Sequence, residues 1–148
     1  MTDSANTDRI SLAASNRALV LVVDDDDAIR EALRELLEDA GFATMGARHG
    51  LEALKILATL TSAPAFILLD MMMPVMDGWA FCDNCGKSRA LSRIPLIAIS
   101  AADIAESDRP AGIDAFLAKP IDADEFARFA LRLAGHKRRD GRTPELLH

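Results

Sequence analysis

Several short apolar runs in this chain stop on residues that could do chemistry together. Residues 66–70 read FILLD, so an aspartate, Asp70, closes a stretch with no polar interruption. Residues 18–23 (ALVLVV) run straight into four aspartates, of which Asp24 and Asp25 come first. Residues 94–99 (IPLIAI) end on Ser100, and residues 114–118 (DAFLA) end on Lys119 and Pro120. Runs this short and this apolar suit parallel strands buried on both faces, and their ends then share one edge of the sheet, where ligands bind in open α/β folds. If the first and third strands are neighbours, three carboxylates share a pocket. Two bare carboxylates ~5 Å apart repel by ~3 kcal/mol at an effective dielectric of about 20, so the cluster calls for a neutralising cation. Carboxylates, a loop carbonyl and water form an all-oxygen set, which suits Mg2+ better than zinc. A metal-bound aspartate with a free oxygen is a nucleophile for a phosphoryl group, a reaction that needs charge neutralisation and positioning more than an acid or base. Lys119 would supply a cation, Ser100 a hydroxyl, and the amides after Asp70 further donors.

The elements between these ends must hold them in place. After the aspartates, with Asp27 as the expected N-cap, Ile29, Ala32, Leu33, Leu36, Leu37 and Ala40 repeat at the spacing of a core-facing helix, which Gly41 ends. Residues 42–46 form a short second strand. A helix follows over 50–60, with Leu51, Leu54, Ile56 and Leu57 as its apolar positions. The loop after Asp70 carries three methionines, Pro74 and the Asp77-Gly78 pair. A helix then runs from Gly78 to about Ala90, anchored by Phe81 and Cys85, with Trp79 half-buried at its start. Residues 103–108 offer a helical turn or two before Pro110 and Gly112 intervene. Asp122 and Glu125 are spaced as a capping box for a last helix over 123–134, with Phe126, Phe129, Ala130 and Leu133 facing inward. Strands alternating with helices specify an α/β fold, a doubly wound five-stranded parallel sheet covered on both sides.

At 148 residues, 50% apolar and 27% charged, the chain suits one domain with a sizeable core. Residues 1–17 read as a disordered N-terminal extension, 18–134 as the folded domain and 135–148 as a polar, basic C-terminal tail whose His136-Lys137-Arg138-Arg139 run is solvated. No apolar run approaches a membrane span, and the start of the chain lacks a signal-peptide core, so a cytoplasmic location away from membranes is expected. A net charge of -6 disfavours direct nucleic-acid binding. Cys82 and Cys85 form a C-x-x-C pair, but His49, His136 and His148 have no zinc-like spacing relative to it. Cys85 falls four residues after Phe81 on the same helical face, so both thiols are expected to pack in the core.

The motifs VLVVDDD, LLDMMMPVMDG, PLIAISA and FLAKP, in this order and at nearly this spacing, resemble the receiver domain of bacterial response regulators. The resemblance spans residues 18–134. It implies the flavodoxin-like (βα)5 fold with strand order 2-1-3-4-5. It implies Mg2+ as the cofactor, Asp70 as phosphoacceptor, and Asp25 and the backbone carbonyl of Met72 as direct metal ligands, with Asp24 acting through water. Lys119 would contact the phosphoryl group, Ser100 would be the switch hydroxyl and Phe116 the switch aromatic, and the Lys119-Pro120 bond is expected to be cis.

Two departures modify that picture. The interval from Ser100 to Lys119 is a few residues short, which shortens the fourth helix. Met72 and Ala102, two residues after Asp70 and Ser100, cannot hydrogen-bond an attacking water, so slow self-dephosphorylation is expected.

The expected function is a stand-alone phosphoacceptor, not an enzyme beyond its own phosphorylation and dephosphorylation. A histidine kinase or histidine phosphotransfer protein would be the donor and an unidentified downstream protein the target, since no output domain is evident. The alternative is a receiver-like interaction module that works without phosphorylation. An aspartate-nucleophile phosphohydrolase is disfavoured, because its motif has a second aspartate where this chain has Met72.

Overall fold

The computed structural model describes residues 17–135. The expected extension (1–17, Arg17 apart) and nearly all of the expected tail (135–148, Gly135 apart) lie outside the described residues. Five strands, β1 (Leu19–Val23), β2 (Ala43–Ala47), β3 (Phe66–Asp70), β4 (Leu96–Ser100) and β5 (Ala115–Ala118), pair in parallel in the order β2-β1-β3-β4-β5. Helices α1 (Asp27–Asp39), α2 (Gly50–Thr59), α3 (Gly78–Gly86) and α4 (Ala123–Gly135) connect or follow them. The doubly wound arrangement and strand order expected from the sequence are both present.

The unbroken apolar strands divide between two cores, because successive side chains leave a strand on opposite faces. Val20, Val22, Phe66, Leu68, Ile97 and Ile99 pack on one face under α1 and α4, through Leu33, Leu37, Phe126 and Phe129. Leu21, Val23, Ile67, Leu69, Leu96 and Ala98 pack on the other under α2 and α3, through Ala53, Leu57, Phe81 and Cys85. β1, β3 and β4 are consequently buried nearly throughout. That rigidity holds the strand ends fixed relative to one another.

Three local expectations change. Asp26, not Asp27, caps α1: its Oδ1 accepts from the Ile29 amide at 3.0 Å, and Asp27 is the first helical residue. The cap sits one residue earlier because Asp24 and Asp26 close a turn between them, with the Asp26 amide donating to Asp24 Oδ1 at 2.9 Å. α3 stops at Gly86 rather than near Ala90, after which the chain continues through a 3-10 turn (Leu91–Arg93). Leu51 is an exposed residue of α2, and the buried positions are Gly50, Ala53 and Leu57. Between β4 and β5 the shortened helix is a single 3-10 turn, Glu106–Asp108, in line with the turn or two expected over 103–108. A three-residue turn cannot cover β5 as a helix would, which leaves a groove of about 1050 Å³ along that edge strand, walled by Arg109, Phe116 and Phe126 among others.

Cys82 and Cys85 are free and buried, 4% and 1% exposed. Burial pushes the Cys82 thiol up to about 12 and the Cys85 thiol up to about 11, so the thiolate that redox or metal chemistry needs is suppressed. At pH 8 a water-soluble disulfide reagent is therefore expected to modify neither thiol until the protein unfolds; immediate modification of the folded protein would contradict the packing role.

Candidate functional site

The strand order reverses between β1, which is followed by a step outward to β2, and β3, which begins the steps in the other direction. That reversal opens a crevice beyond the carboxyl ends of β1 and β3. Asp24 and Asp25 leave the end of β1 and Asp70 closes β3, so the crevice is lined with carboxylates. Ligand atoms from these three residues lie within 4.8 Å of one another. Asp24 is fully buried, Asp70 is 5% exposed and Asp25 faces solvent.

Each side chain is positioned by its neighbours. The Asp24 amide extends the β1–β2 ladder by donating to the Ala47 carbonyl at 3.0 Å. Lys119, from the loop after β5, reaches across the edge and brings Nζ to 3.0 Å from Asp24 Oδ2 and 3.7 Å from Asp70 Oδ2. The Lys119-Pro120 bond is cis. Asp70 Oδ1 accepts from the Met72 amide at 3.2 Å. Behind Asp70, the Gly78 amide donates to the Met71 carbonyl at 2.9 Å, and a Cβ on Gly78 would come within 2.8 Å of the Met71 Cα. Only glycine permits that approach, which draws the loop of residues 71–77 back against the start of α3. Met72 and Val75, 57% and 75% exposed, project from this loop, and Val75 adopts a left-handed φ of 67° that is unfavourable for a β-branched residue.

Ser100, 1% exposed, has its hydroxyl oxygen held by the Ala102 amide at 3.1 Å, and its carbonyl accepts from the Lys119 amide at 2.9 Å. Asp24, Asp25, Asp70, Ser100 and Lys119 thus share one edge, as the sequence leads one to expect. Phe116 sits apart on β5, half-buried, with the Arg109 guanidinium 4.1 Å above its ring. Trp79 is half-buried at the start of α3, and its indole N–H donates to the Asp108 carbonyl at 2.8 Å, tying that helix to the 3-10 turn. Arg109 carries no periodic or motif signal in the sequence. Arg30, also without such a signal, donates to the Asp24 carbonyl from α1; its spacing three residues after Asp27 was the one available hint.

The electrostatics follow from this crowding. The Asp70 carboxyl is pushed up to about 6 by its burial and then by the Asp24 charge, against the opposing pull of the Met72 amide and Lys119. A single ammonium shared by two buried carboxylates leaves the pocket short of positive charge.

The family model of the response regulator receiver domain matches residues 20–130. The chain belongs to this receiver family. Members are signalling modules of two-component systems. This receiver is 37% identical over 111 residues to response regulator MprA of Mycobacterium sp. (strain KMS), a match covering 72% of the chain and 46% of that protein. The chain thus spans about half the length of the curated relatives it matches first. The crystal structure of a signal receiver domain of a signal transduction histidine kinase from Syntrophus aciditrophicus superposes with a TM-score of 0.73 at 30% identity, covering 87% of this chain and 99% of that one. A receiver domain of a Pseudomonas aeruginosa PAO1 sensor histidine kinase, solved with a magnesium ion coordinated in its active site cleft, shares the fold with a TM-score of 0.72 at 24% identity, over 81% of this chain and 99% of that one. No helix among the described residues is long and apolar enough to cross a membrane.

The raised Asp70 carboxyl has a measurable consequence in metal-free buffer. The folded state holds this proton more tightly than the unfolded chain, whose value is 3.8, so the group's penalty is absent below pH 4 and grows as pH rises through about 6. Asp70→Asn, which stays neutral, is expected to be more stable than wild type at pH 7 by on the order of 2 kcal/mol, with the difference vanishing near pH 4. Denaturant unfolding at both pH values checks this, and a difference independent of pH would contradict it.

Proposed function

We propose that this receiver takes a phosphoryl group on Asp70 from a phosphohistidine of a histidine kinase or histidine phosphotransfer protein, and acts in the cytoplasm by phosphorylation-dependent binding of a downstream protein rather than of nucleic acid. The observation that carries the reading is the buried Asp70 carboxylate beside Asp24 and Asp25, with the Lys119 ammonium 3.7 Å from its Oδ2.

The donor set suits Mg2+: the side chains are all carboxylates, and the Asp70 carboxyl is raised first by its burial and then by the Asp24 charge, which a cation would offset. Asp25, Asp70 and the Met72 carbonyl would hold the ion directly and Asp24 through water. Bound there, Mg2+ supplies positive charge against the phosphoryl oxygens and the clustered carboxylates. The chain's own residues do the rest. An Asp70 carboxylate oxygen attacks phosphorus, the P–O bond forms as the donor's P–N bond breaks, and the leaving imidazole nitrogen takes up a proton from solvent. The Lys119 ammonium, already between Asp24 and Asp70, is within a short movement of the transferred group's oxygens. The Ser100 hydroxyl, now engaged by the Ala102 amide, is the switch donor that would turn to the phosphoryl group. Phe116 would follow inward, which requires its stacking on Arg109 to rearrange. The added charge of roughly two negative units favours a partner-binding state already in equilibrium with this one.

Met72 sets how long that state lasts. Its thioether is exposed beside Asp70 and is too weak an acceptor to orient a water, and Ala102 has no polar side-chain atom. The acyl phosphate is therefore expected to persist for minutes or longer.

Incubation with Mg2+ and acetyl phosphate is expected to add one phosphate, detected by intact mass, that is absent in Asp70→Asn and abolished by EDTA. No adduct would favour a module that binds partners without phosphorylation, and rapid multiple turnover of the donor would favour a phosphohydrolase. In the same experiment, decay of the adduct within seconds after donor removal would refute the slow-hydrolysis reading.

A further inference from the structure

Asp25 is the one member of the acidic cluster that the protein leaves alone. Its carboxylate faces solvent, and it has no hydrogen-bond or ion-pair partner among the described residues. Asp24 and Asp70, by contrast, are both held by Lys119. The direction in which Asp25 points therefore depends on its backbone, and that backbone depends on the peptide joining it to Asp24.

We infer that Arg30 is a positioning residue for the cation site, holding the Asp24–Asp25 peptide so that the Asp25 carboxylate faces Asp70; the inference rests on the proposed Mg2+ role of the three aspartates. Arg30 Nη1 donates to the Asp24 main-chain carbonyl at 2.8 Å. Its Nη2 is paired with Asp27 Oδ1 in the first turn of α1, and the side chain is only 13% exposed. The other bonds of Asp24 fix what lies before that carbonyl: the amide on Ala47, Oδ1 under the Asp26 amide and Oδ2 under Lys119. The peptide unit is planar, so pinning its oxygen orients the whole unit and places the Asp25 Cα. A guanidinium suits the task because its rigid fork can grip a carbonyl and a carboxylate at once, which an ammonium on a flexible stem does less well.

Room for the arginine comes from β2. A Cβ on Gly46 would lie 3.2 Å from the Arg30 Cδ and 3.3 Å from the Arg34 Cδ, so both stems lie against bare backbone. Arg34 makes a useful contrast. It shares that surface but bonds Thr44 and Glu31, with no hydrogen bond or ion pair to the acidic loop among the described residues.

Charge and position make opposite forecasts. As a positive charge beside a cation site, Arg30 repels Mg2+, and its removal would tighten binding. As a support for Asp25, its removal loosens binding. The test is the Mg2+ dissociation constant of the full chain by titration calorimetry, with Tm measured in chelator. Arg30→Ala is expected to weaken Mg2+ binding on the order of tenfold, despite losing the repelling charge. Arg30→Lys, which keeps the charge but not the fork, is also expected to weaken it and covers the case in which the alanine variant fails to fold. Arg34→Ala is expected to bind as wild type does. An Arg30→Ala dissociation constant equal to or below wild type, whatever its Tm, would overturn the positioning role while leaving the Mg2+ site intact. Failure of wild type to bind Mg2+ at millimolar concentration would overturn the proposed site, and this inference with it.

Discussion

Two carboxylates, Asp24 and Asp70, are buried next to each other with one ammonium between them, and that electrostatic imbalance is the condition the rest of the molecule serves. Burying a charge is costly unless it is paired and hydrogen-bonded, and a pair of like charges adds repulsion to the desolvation. Lys119 offsets part of this through its contacts of 3.0 and 3.7 Å. The remainder appears as the raised Asp70 carboxyl. A protein selected only for stability would replace such a cluster. Its presence at a strand-order reversal, where the fold provides an open crevice, is the physical basis for assigning function to it.

Holding repelling groups together requires a frame that does not yield. The frame consists of β1, β3 and β4, buried on both faces and continuous with the two cores. Against it, the loops at the carboxyl edge are fixed by few bonds each: the Asp26 amide on Asp24, Arg30 on the Asp24 carbonyl, Gly78 on Met71, and Ala102 on the Ser100 hydroxyl. Close packing under these loops resists displacement, whereas the loops themselves make bonds that can be exchanged one at a time. The bond from the Ala102 amide to the Ser100 hydroxyl is one of these. The same division explains the groove beside β5: with only a 3-10 turn between β4 and β5, the side of the sheet that carries Phe116 lacks the cover that a full helix would give it.

The sheet and the acidic edge were legible in the sequence because both rest on short-range, repetitive signals. FILLD and ALVLVV allow no wet strand face, and the polar residues that stop such runs mark the edge of a parallel sheet. The helices of strong periodicity, α1 and α4, were equally plain. Most of what was obscure depends on side chains that meet across space. Four aspartates in a row offer alternative caps, and Asp26 was chosen over Asp27 by a turn with Asp24. The early end of α3 at Gly86 instead reflects weak local propensity at Asn84 and Gly86, whereas the shortening of the helix before β5 was announced by Pro110 and Gly112. Arg30 on Asp24, Arg109 on Phe116 and Trp79 on Asp108 join residues through specific contacts that no period announces.

Thermal unfolding across a Mg2+ titration tests most directly whether Asp24, Asp25 and Asp70 form the proposed divalent-cation site. A cation that binds only the folded state stabilises it by mass action, about 2.7 kcal/mol at a concentration a hundredfold above Kd. At neutral pH the Tm of the wild-type protein should therefore climb steadily with Mg2+ concentration, and most of that increment should be lost in Asp25→Asn, the variant that alters the exposed member of the cluster. A Tm that stays constant from chelator to millimolar Mg2+, or that rises equally in Asp25→Asn, would contradict the account.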